Sequence, residues 1–398
     1  MTRFVLVLNA GSSSLKYSLV DGDTGESLAG GLVERIGETN GILTHRGPSG
    51  EKRIEEPIGS HEAALTAVLE AFDAQGPSLD EIEVAAIGHR VVHGGARFGD
   101  PVLIDDHLVS EVRRLIPLAP LHNPANLEGI EVARRLFPDL PQVAVFDTAF
   151  HQTLPEHAYT YAVPLSWRDE HRVRRYGFHG TSHAFVSREA ARLLGREPED
   201  VNLIVLHLGN GASATAVAGG RSVDTSMGLT PLEGLVMGTR SGDIDPSLHA
   251  HLHRLCGWSL EEIDGILNRE SGLKGLAGEN DFRQLMEMIK GGDEGARLAF
   301  DVYCYRIRKY VGAYTAVLGR VDAIVFTAGV GQHSSSVREA SLRGLEPMGV
   351  EVDAELNAAA TGREPSVVSP AGSRVTVMVV PTNEEWEIAR QSLAVVHA

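Results

Sequence analysis

Phe4-Val-Leu-Val-Leu8, Asn9-Ala-Gly-Ser-Ser-Ser-Leu-Lys16 and Tyr17-Ser-Leu-Val20 follow one another without a break. The five apolar, β-favouring residues read as a strand buried on both faces. Asn9 and Gly11 suit a turn, and the second apolar run closes a β-hairpin. Backbone N–H groups and the hydroxyls of Ser12 and Ser14 can line its tip and hold phosphate oxygens, with Lys16 adding positive charge. The other reading of the same residues is a hairpin with a Ser-rich turn. A Walker A loop is excluded, because the G-x-x-x-x-G-K-[ST] spacing is missing.

The pattern returns. Asn202-Leu-Ile-Val-Leu206 is an apolar strand, His207-Leu-Gly-Asn-Gly-Ala-Ser213 a Gly-rich turn, and Ala214-Thr-Ala-Val217 the start of a return strand. A partial third instance is Val321-Asp-Ala-Ile-Val-Phe-Thr327 running into Ala328-Gly-Val-Gly-Gln-His333. A strand, Gly-x-Gly and a helix N-terminus favour an anion or nucleotide. Two hairpins and a Gly-rich strand end predict a duplicated α/β fold that grips one polyphosphate from several sides.

The 398 residues, 43% of them apolar, can bury a large core and predict two domains. The net charge of -17, from 36 basic and 53 acidic residues, argues against nucleic acid and anionic membrane as partners. An anionic substrate therefore needs a local cationic cluster. Cys256 and Cys304 have no ligand-like spacing, so neither a disulfide framework nor a metal site is expected from cysteine. The N-terminal apolar run is too short for a signal segment, and no run approaches the ~20 apolar residues of a membrane span. The chain reads as a soluble cytoplasmic protein.

Along the chain, His61–Ala74 has helical spacing and ends near Gly76-Pro77. Val84–Ile87 is a strand leading to Gly88-His-Arg-Val-Val-His-Gly-Gly95, whose arginine is either a structural ion-pair partner or a ligand group. Asn123-Pro124 reads as an N-cap with proline at the first helical position. Gln142–Phe146 is a strand with Asp147 just past its carboxyl end, where open α/β sheets place ligands. The domain crossing is expected within 151–180. Tyr176-Gly-Phe-His-Gly-Thr-Ser-His183 starts a helix closed by Gly195, with His179 either capping it or facing an anion. The irregular stretch 222–246 carries Arg240 among small residues, and a long irregular segment is usually functional. Glu294–Leu318 is a long helix whose apolar stripe covers the sheet or forms a dimer seam. A turn at Gly329–Gly331, a capping box Ser336-Val-Arg-Glu339, a last strand Val375–Val380 and a terminal helix after Pro381 complete the chain. That helix is expected to return to the first domain.

These motifs resemble those of the acetate kinase family. The carriers are Val7–Lys16, Gly88–Gly95, Phe146-Asp-Thr-Ala-Phe150, Gly177-Phe-His-Gly-Thr-Ser-His183, His207–Gly211, Gly238-Thr-Arg-Ser-Gly-Asp243 and Thr382-Asn-Glu-Glu385, in family order across essentially the whole chain. The resemblance implies two similar α/β domains of the actin-like ATPase (ribonuclease H-like) fold with an interdomain nucleotide cleft. The domains would be 1–150 plus 384–398, and 151–383. It implies reversible phosphoryl transfer from ATP to acetate with Mg2+, or Mn2+ in its place, by a homodimer. Asn9 and Glu384 match the metal site, Lys16 a phosphate contact and Arg90 the carboxylate-binding arginine. His179 and Arg240 match the transition-state stabilisers, and Asp147 the catalytic aspartate. The nucleotide segments match His207, Leu208, Gly209, Asn210 and Gly211; Asp281, Phe282 and Arg283; and Gly329, Val330, Gly331, Gln332 and His333. Val92, Leu121, Phe178 and Pro231 match a small apolar pocket for the acetate methyl. One departure is visible. The family usually has an acidic residue and then Asn after its Gly-x-Gly, where this chain has Gln332 and His333, which bears on base and ribose contacts.

Acetate is ionised at neutral pH, so transfer needs no general base. It needs cations that bring an anion to a polyanion. Arg90 is expected to hold the acetate by a two-pronged contact, with Arg240 and His179 bracketing the transferring group. Asp147 is expected to orient an arginine or a metal-bound water. The rivals are a propionate or butyrate kinase of the same fold and an actin- or chaperone-like ATPase. A dinucleotide dehydrogenase is disfavoured because Gly329-Val-Gly-Gln-His-Ser334 comes late and lacks the third glycine.

Overall fold

The computed structural model describes residues 3–79 and 81–397. It divides into two compact units: the chain up to Gln152 together with the chain from Asn383 onward, and Thr153–Thr382. No helix among the described residues is long and apolar enough to cross a membrane.

The first unit contains β1 (Phe4–Ala10), β2 (Ser14–Asp21), β3 (Ser27–Glu34), β4 (Gly41–Gly47), β5 (Gly50–Glu56), β6 (Val84–Val91), β7 (Val102–Leu103) and β8 (Gln142–Phe146). Their order in the sheet is β5-β4-β3-β2-β1-β6-β8-β7. The first five strands are an antiparallel meander, while β1, β6 and β8 run parallel. Because side chains alternate along a strand, β1 feeds two cores. Leu6 and Leu8 pack with Leu65, Val68 and Phe72 of helix His61–Gln75 and Val132 of helix Asn123–Leu136. Val5 and Val7 pack with Ile388, Ala389 and Leu393 of the terminal helix Glu384–Val396. Burying such a side chain stabilises the fold by about 1.5–3 kcal/mol. Gly88 in β6 permits the helix to lie close, since a Cβ there would come within 2.7 Å of both Ile388 and Ser392.

The second unit contains β9 (Asn202–Leu208), β10 (Ala212–Ala218), β11 (Arg221–Thr225), β12 (Ala323–Thr327), β13 (Ser366–Val367) and β14 (Thr376–Val379), in the order β11-β10-β9-β12-β14-β13. Again a hairpin and third strand are antiparallel, and β9, β12 and β14 are parallel. The run β11-β10-β9-β12-β14 repeats the run β3-β2-β1-β6-β8 of the first unit, and this is the strand order of the ribonuclease H-like fold. The duplicated hairpins of the sequence are thus the first two strands of each sheet. Helix Glu294–Leu318, capped by Asp293, buries Phe300, Cys304, Ile307, Val311 and Tyr314 against β9, β10 and neighbouring helices.

Several local expectations change. The cap of helix Asn123–Leu136 is His122, and Asn123 is its first residue. The asparagine amide is engaged elsewhere, accepting from His93 N at 3.2 Å and donating to His93 O at 3.1 Å. Gly329–Gly331 is not a turn but part of a short helix, Ala328–His333. The next helix, Ser335–Leu342, is capped by Ser334 rather than Ser336, and Glu339 reaches Arg343 at 3.3 Å instead of turning back to the cap. β6 continues through Arg90 to Val91, beyond the expected strand.

Candidate active site

In the first unit, parallel strands bring their carboxyl ends together. Arg90 is the penultimate residue of β6, and Asp147 follows the last residue of β8. Arg90 Nε donates to Asp147 Oδ1 at 2.9 Å and Nη2 to Oδ2 at 2.7 Å. Glu384, the first residue of the terminal helix, places Oε2 3.7 Å from Arg90 Nη1. Burial works against the Arg90 charge, yet Asp147 and then Glu384 hold it above the ordinary arginine value. Burial likewise pushes the Asp147 carboxyl up, and Arg90 pulls it back. Asp147 is 2% exposed and both its oxygens are committed to one guanidinium. Its visible work is to orient that arginine. The edge formed by Nη1 and Nη2 still has N–H groups to offer a second carboxylate.

Asn9 faces Lys16 across the β1–β2 ladder. The hairpin tip is closed by Gly11 N donating to Ser14 O at 2.8 Å, with Ser12 exposed and Ser14 half-buried. Lys16 pairs with Glu385, whose carboxyl is held below its ordinary value despite burial, by Lys16 first and Arg90 in addition. Two asparagines brace the strand ends. Asn126 donates to Ala10 O at 2.7 Å and accepts from Val92 N at 2.9 Å, while Asn123 makes its two bonds to His93. Val92 is half-buried, and Leu121 is 49% exposed.

In the second unit, His179 occupies the N-cap of helix Gly180–Leu193 in the left-handed region, φ 57 and ψ 26, and makes no side-chain cap bond. A non-glycine residue there costs about 1–2 kcal/mol, and such outliers gather at functional sites. Its Nδ1 lies 2.9 Å from Ser213 Oγ, which also meets His183 Nε2 at 2.8 Å. Its ring stacks on His207 at 4.2 Å, and Ser182 holds His207 Nδ1 at 2.8 Å. Arg240 is half-buried. It donates to Pro231 O at 3.2 Å and contacts Met237 Sδ at 3.8 Å. No carboxylate pairs with it among the described residues, and burial draws its charge affinity below the ordinary arginine value. The tips of His179 and Arg240 converge on Gly211. A Cβ built there would lie 3.4 Å from His179 Nε2 and 3.5 Å from Arg240 Nη1. Two cationic or donor groups aimed at one bare backbone position can surround an anion's oxygens.

A cavity of about 860 Å³ adjoins this point, its wall including Gly209, Asn210, Phe282, Tyr303, Gly329 and Val330. Asp281, Arg283 and His333 also line it. Asp281 caps helix Phe282–Lys290, and Arg283 with these backbone bonds holds its carboxyl down to about 2. The segment residues are not equivalent. His207 and Leu208 have buried side chains. Gly331 and Gln332 are absent from this wall. Their carbonyls instead accept from Arg338 Nη1 at 3.0 and 2.8 Å. Phe178 is buried and Pro231 half-buried in this unit, whereas Val92 and Leu121 belong to the other.

The acetokinase family model matches residues 4–390. The chain belongs to the acetokinase family. The acetate kinase of Streptomyces coelicolor is 62% identical over 394 residues, covering 98% of this chain and 97% of that protein. The crystal structure of Porphyromonas gingivalis acetate kinase is 44% identical, covers 99% of this chain and 100% of its own, and has a TM-score of 0.94. A propionate kinase structure from Francisella tularensis is 42% identical, covers 98% of each chain and has a TM-score of 0.92.

Membership in this acetokinase family agrees with the paired units and with Arg90 at a strand end of the first. Residue-type reasoning missed the supports. Arg175 donates from Nη2 to Glu233 at 2.5 Å and from Nη1 to the carbonyls of Thr225, Ser226 and Met227, and Tyr161 also contacts Glu233. These groups clamp the irregular segment that carries Arg240. Arg338 is fully buried, and among the described residues it has no carboxylate partner but five acceptors, from Asn357, Gly331, Gln332 and Ala360. Burial lowers its affinity for the proton to about 10. Only Glu385, beside Glu384 in a motif, and Asn123, beside a helix-starting proline, carried a local signal.

Proposed function

We propose that the chain is an acetate kinase, transferring the ATP γ-phosphoryl group reversibly to acetate by direct in-line displacement, with acetyl phosphate and ADP as products. The observation that carries this reading is the convergence of His179 Nε2 and Arg240 Nη1 on Gly211, next in sequence to residues that wall a nucleotide-sized cavity. Among the described residues Arg240 has no carboxylate to neutralise it, so its guanidinium is available to charge that spreads over the phosphoryl oxygens. Ser213 fixes which way the His179 ring points. On the acetate side, Asp147 takes one edge of Arg90 and leaves the Nη1–Nη2 edge for the substrate carboxylate. Acetate is already an anionic nucleophile at neutral pH, so Asp147 moves no proton. Lys16 and the Ser12–Ser14 tip serve nucleotide phosphates in the same reading.

Among the described residues, no group of three or more His, Cys, Asp or Glu could hold a metal alone. Asn9 and Glu384 offer oxygen donors only. That donor set fits Mg2+, which keeps several waters and completes its shell with substrate phosphates; Mn2+ shares the preference. When bound, the ion supplies charge neutralisation across the nucleotide phosphates.

The deciding experiment incubates the protein with ATP, Mg2+, acetate and hydroxylamine. Acetyl hydroxamate formation supports the reading; ADP release that ignores acetate would support an ATPase of the actin or chaperone kind. The similarity to a propionate kinase structure keeps one second reading. A rate series over acetate, propionate and butyrate separates the two. Val92→Ala should shift the preference toward the longer acids, and an unchanged series would remove Val92 from the methyl pocket. We also place the reaction in the cytoplasm, where ATP is supplied, and in a homodimer. Exposed Leu255, Trp258 and Leu260 offer an apolar patch that a second copy can cover, and light scattering after size exclusion tests it.

A further inference from the structure

Helix Glu294–Leu318 borders two cavities. Tyr303 lines the nucleotide-sized one, and Phe300 meets Phe282 of that wall with ring centroids 6.1 Å apart. On another face the helix borders a second cavity of about 470 Å³, where Arg297, Tyr305 and Arg308 meet Arg343. Helix Ser335–Leu342 is shared in the same way. Ser335 and Ser336 at its start line the larger cavity, whereas Ala340 and the following Arg343 line the smaller. Arg308 Nη2 donates to Ala340 O at 2.5 Å and ties the two helices together.

Three arginines at one cavity run against the chain's net charge of -17. Their compensation is thin. Arg343 reaches Glu339 at 3.3 Å, but both side chains are largely exposed, and such pairs contribute little. Arg297 and Arg308 have no carboxylate within ion-pair distance among the described residues, although Asp301 shares the wall. Arg308 Nε is buried with no hydrogen-bond partner among the described residues. A buried N–H of a charged group that lacks an acceptor is costly, so an oxygen-bearing anion would satisfy it.

We propose that this cavity is an effector site for a phosphate group, coupled to nucleotide binding through the two shared helices. Guanidinium forks match phosphate oxygens in spacing and charge, and Tyr305 adds a hydroxyl donor at the rim. The volume admits a phosphate with a small organic group, and the acidic surface of the chain disfavours nucleic acid. Since both cavities share the same two helices, occupancy of one biases the other, and the effect is reciprocal. The coupling rests on the reading of the larger cavity as the nucleotide's; the binding does not.

The test titrates inorganic phosphate calorimetrically into the full-length protein saturated with a non-hydrolysable ATP analogue, so that the catalytic phosphate positions are filled. One phosphate should bind at millimolar concentration, and the Arg297→Ala/Arg343→Ala double variant should weaken it at least tenfold. Both side chains are exposed, so the variant should fold and keep its basal acetyl phosphate formation, which reports separately on the function. Glycerol 2-phosphate serves as a second probe: binding at the same site marks a phosphomonoester as the ligand, and failure beside phosphate binding marks free phosphate. Saturating phosphate should change the KM for ATP at least threefold in the wild type, leave the KM for acetate in place, and do neither in the variant. Absence of binding, equal binding by the variant, or binding that leaves the KM for ATP untouched would overturn the proposal.

Discussion

Replacing Gly211 with alanine should stop most phosphoryl transfer while leaving the fold intact. The added Cβ would sit 3.4 Å from His179 Nε2 and 3.5 Å from both His179 Cε1 and Arg240 Nη1. Those are ordinary contact distances, and Gly211 is not among the glycines with positive φ. The methyl therefore fits without strain, and Gly→Ala at a compatible site tends to stabilise by about 0.4–1 kcal/mol through the unfolded chain. A phosphoryl oxygen, however, needs to approach a charged N–H donor to about 2.8 Å. It cannot do so where a methyl already touches both donors, because carbon requires roughly 3.5 Å. Losing one such donor typically costs about 10²–10³ in turnover. Loss of two that act together should cost at least about 10³, or roughly 4 kcal/mol of barrier. Hydroxamate formation measures turnover, and a thermal melt measures the fold. A variant that melts like wild type and turns over within tenfold of it would refute the idea that the transferring group passes between these two tips. A melt lowered by many degrees would refute the steric argument instead.

Three further outcomes follow from the same geometry. Arg240→Ala should lower turnover by a factor on the order of 10³, as for loss of an arginine finger, with ATP binding by calorimetry little changed; near-normal turnover would count against its role. Asp147→Asn should cost about 2–4 kcal/mol in chemical denaturation, because it leaves the Arg90 charge half-compensated in a buried site, and should raise the KM for acetate more than that for ATP. Arg338→Met should destabilise the second unit by about 3 kcal/mol or more, since it leaves several buried carbonyls without a donor. Because Arg338 holds the carbonyls of Gly331 and Gln332, its loss should also raise the KM for ATP with the KM for acetate unmoved. Equal changes in both constants would make it a core residue only.

Much of the architecture was legible in residue order. Apolar runs followed by small polar turns at Phe4 and Asn202 are local signals, and local chemistry alone makes them hairpins. Helix Glu294–Leu318 was legible for the same reason, since its stripe repeats at the helical period. Local rules failed where a side chain had a better partner than the one its motif suggested. Asn123 looks like a cap beside Pro124 but satisfies the backbone N–H and carbonyl of His93 instead. Ser336 and Glu339 fit a capping box, yet Ser334 takes the cap and Glu339 turns to Arg343. Gly329–Gly331 reads as a turn, but Arg338 gathers carbonyls at the end of a short helix and stabilises it.

The order of the residues by itself determined the duplicated hairpin units, the placement of Arg90 and Asp147 at strand ends and the glycines around Arg240, because each depends on neighbours along the chain. Only the tertiary structure decided that Asp147 spends both oxygens on Arg90, that His179 and Arg240 meet at Gly211, and that a buried Arg338 braces the short helix whose Gly329, Val330 and His333 line the larger cavity. Those outcomes depend on which groups parallel strands and packed helices carry to within hydrogen-bonding distance. A range of about 3 Å is set by packing across the fold, and spacing along the chain does not encode it.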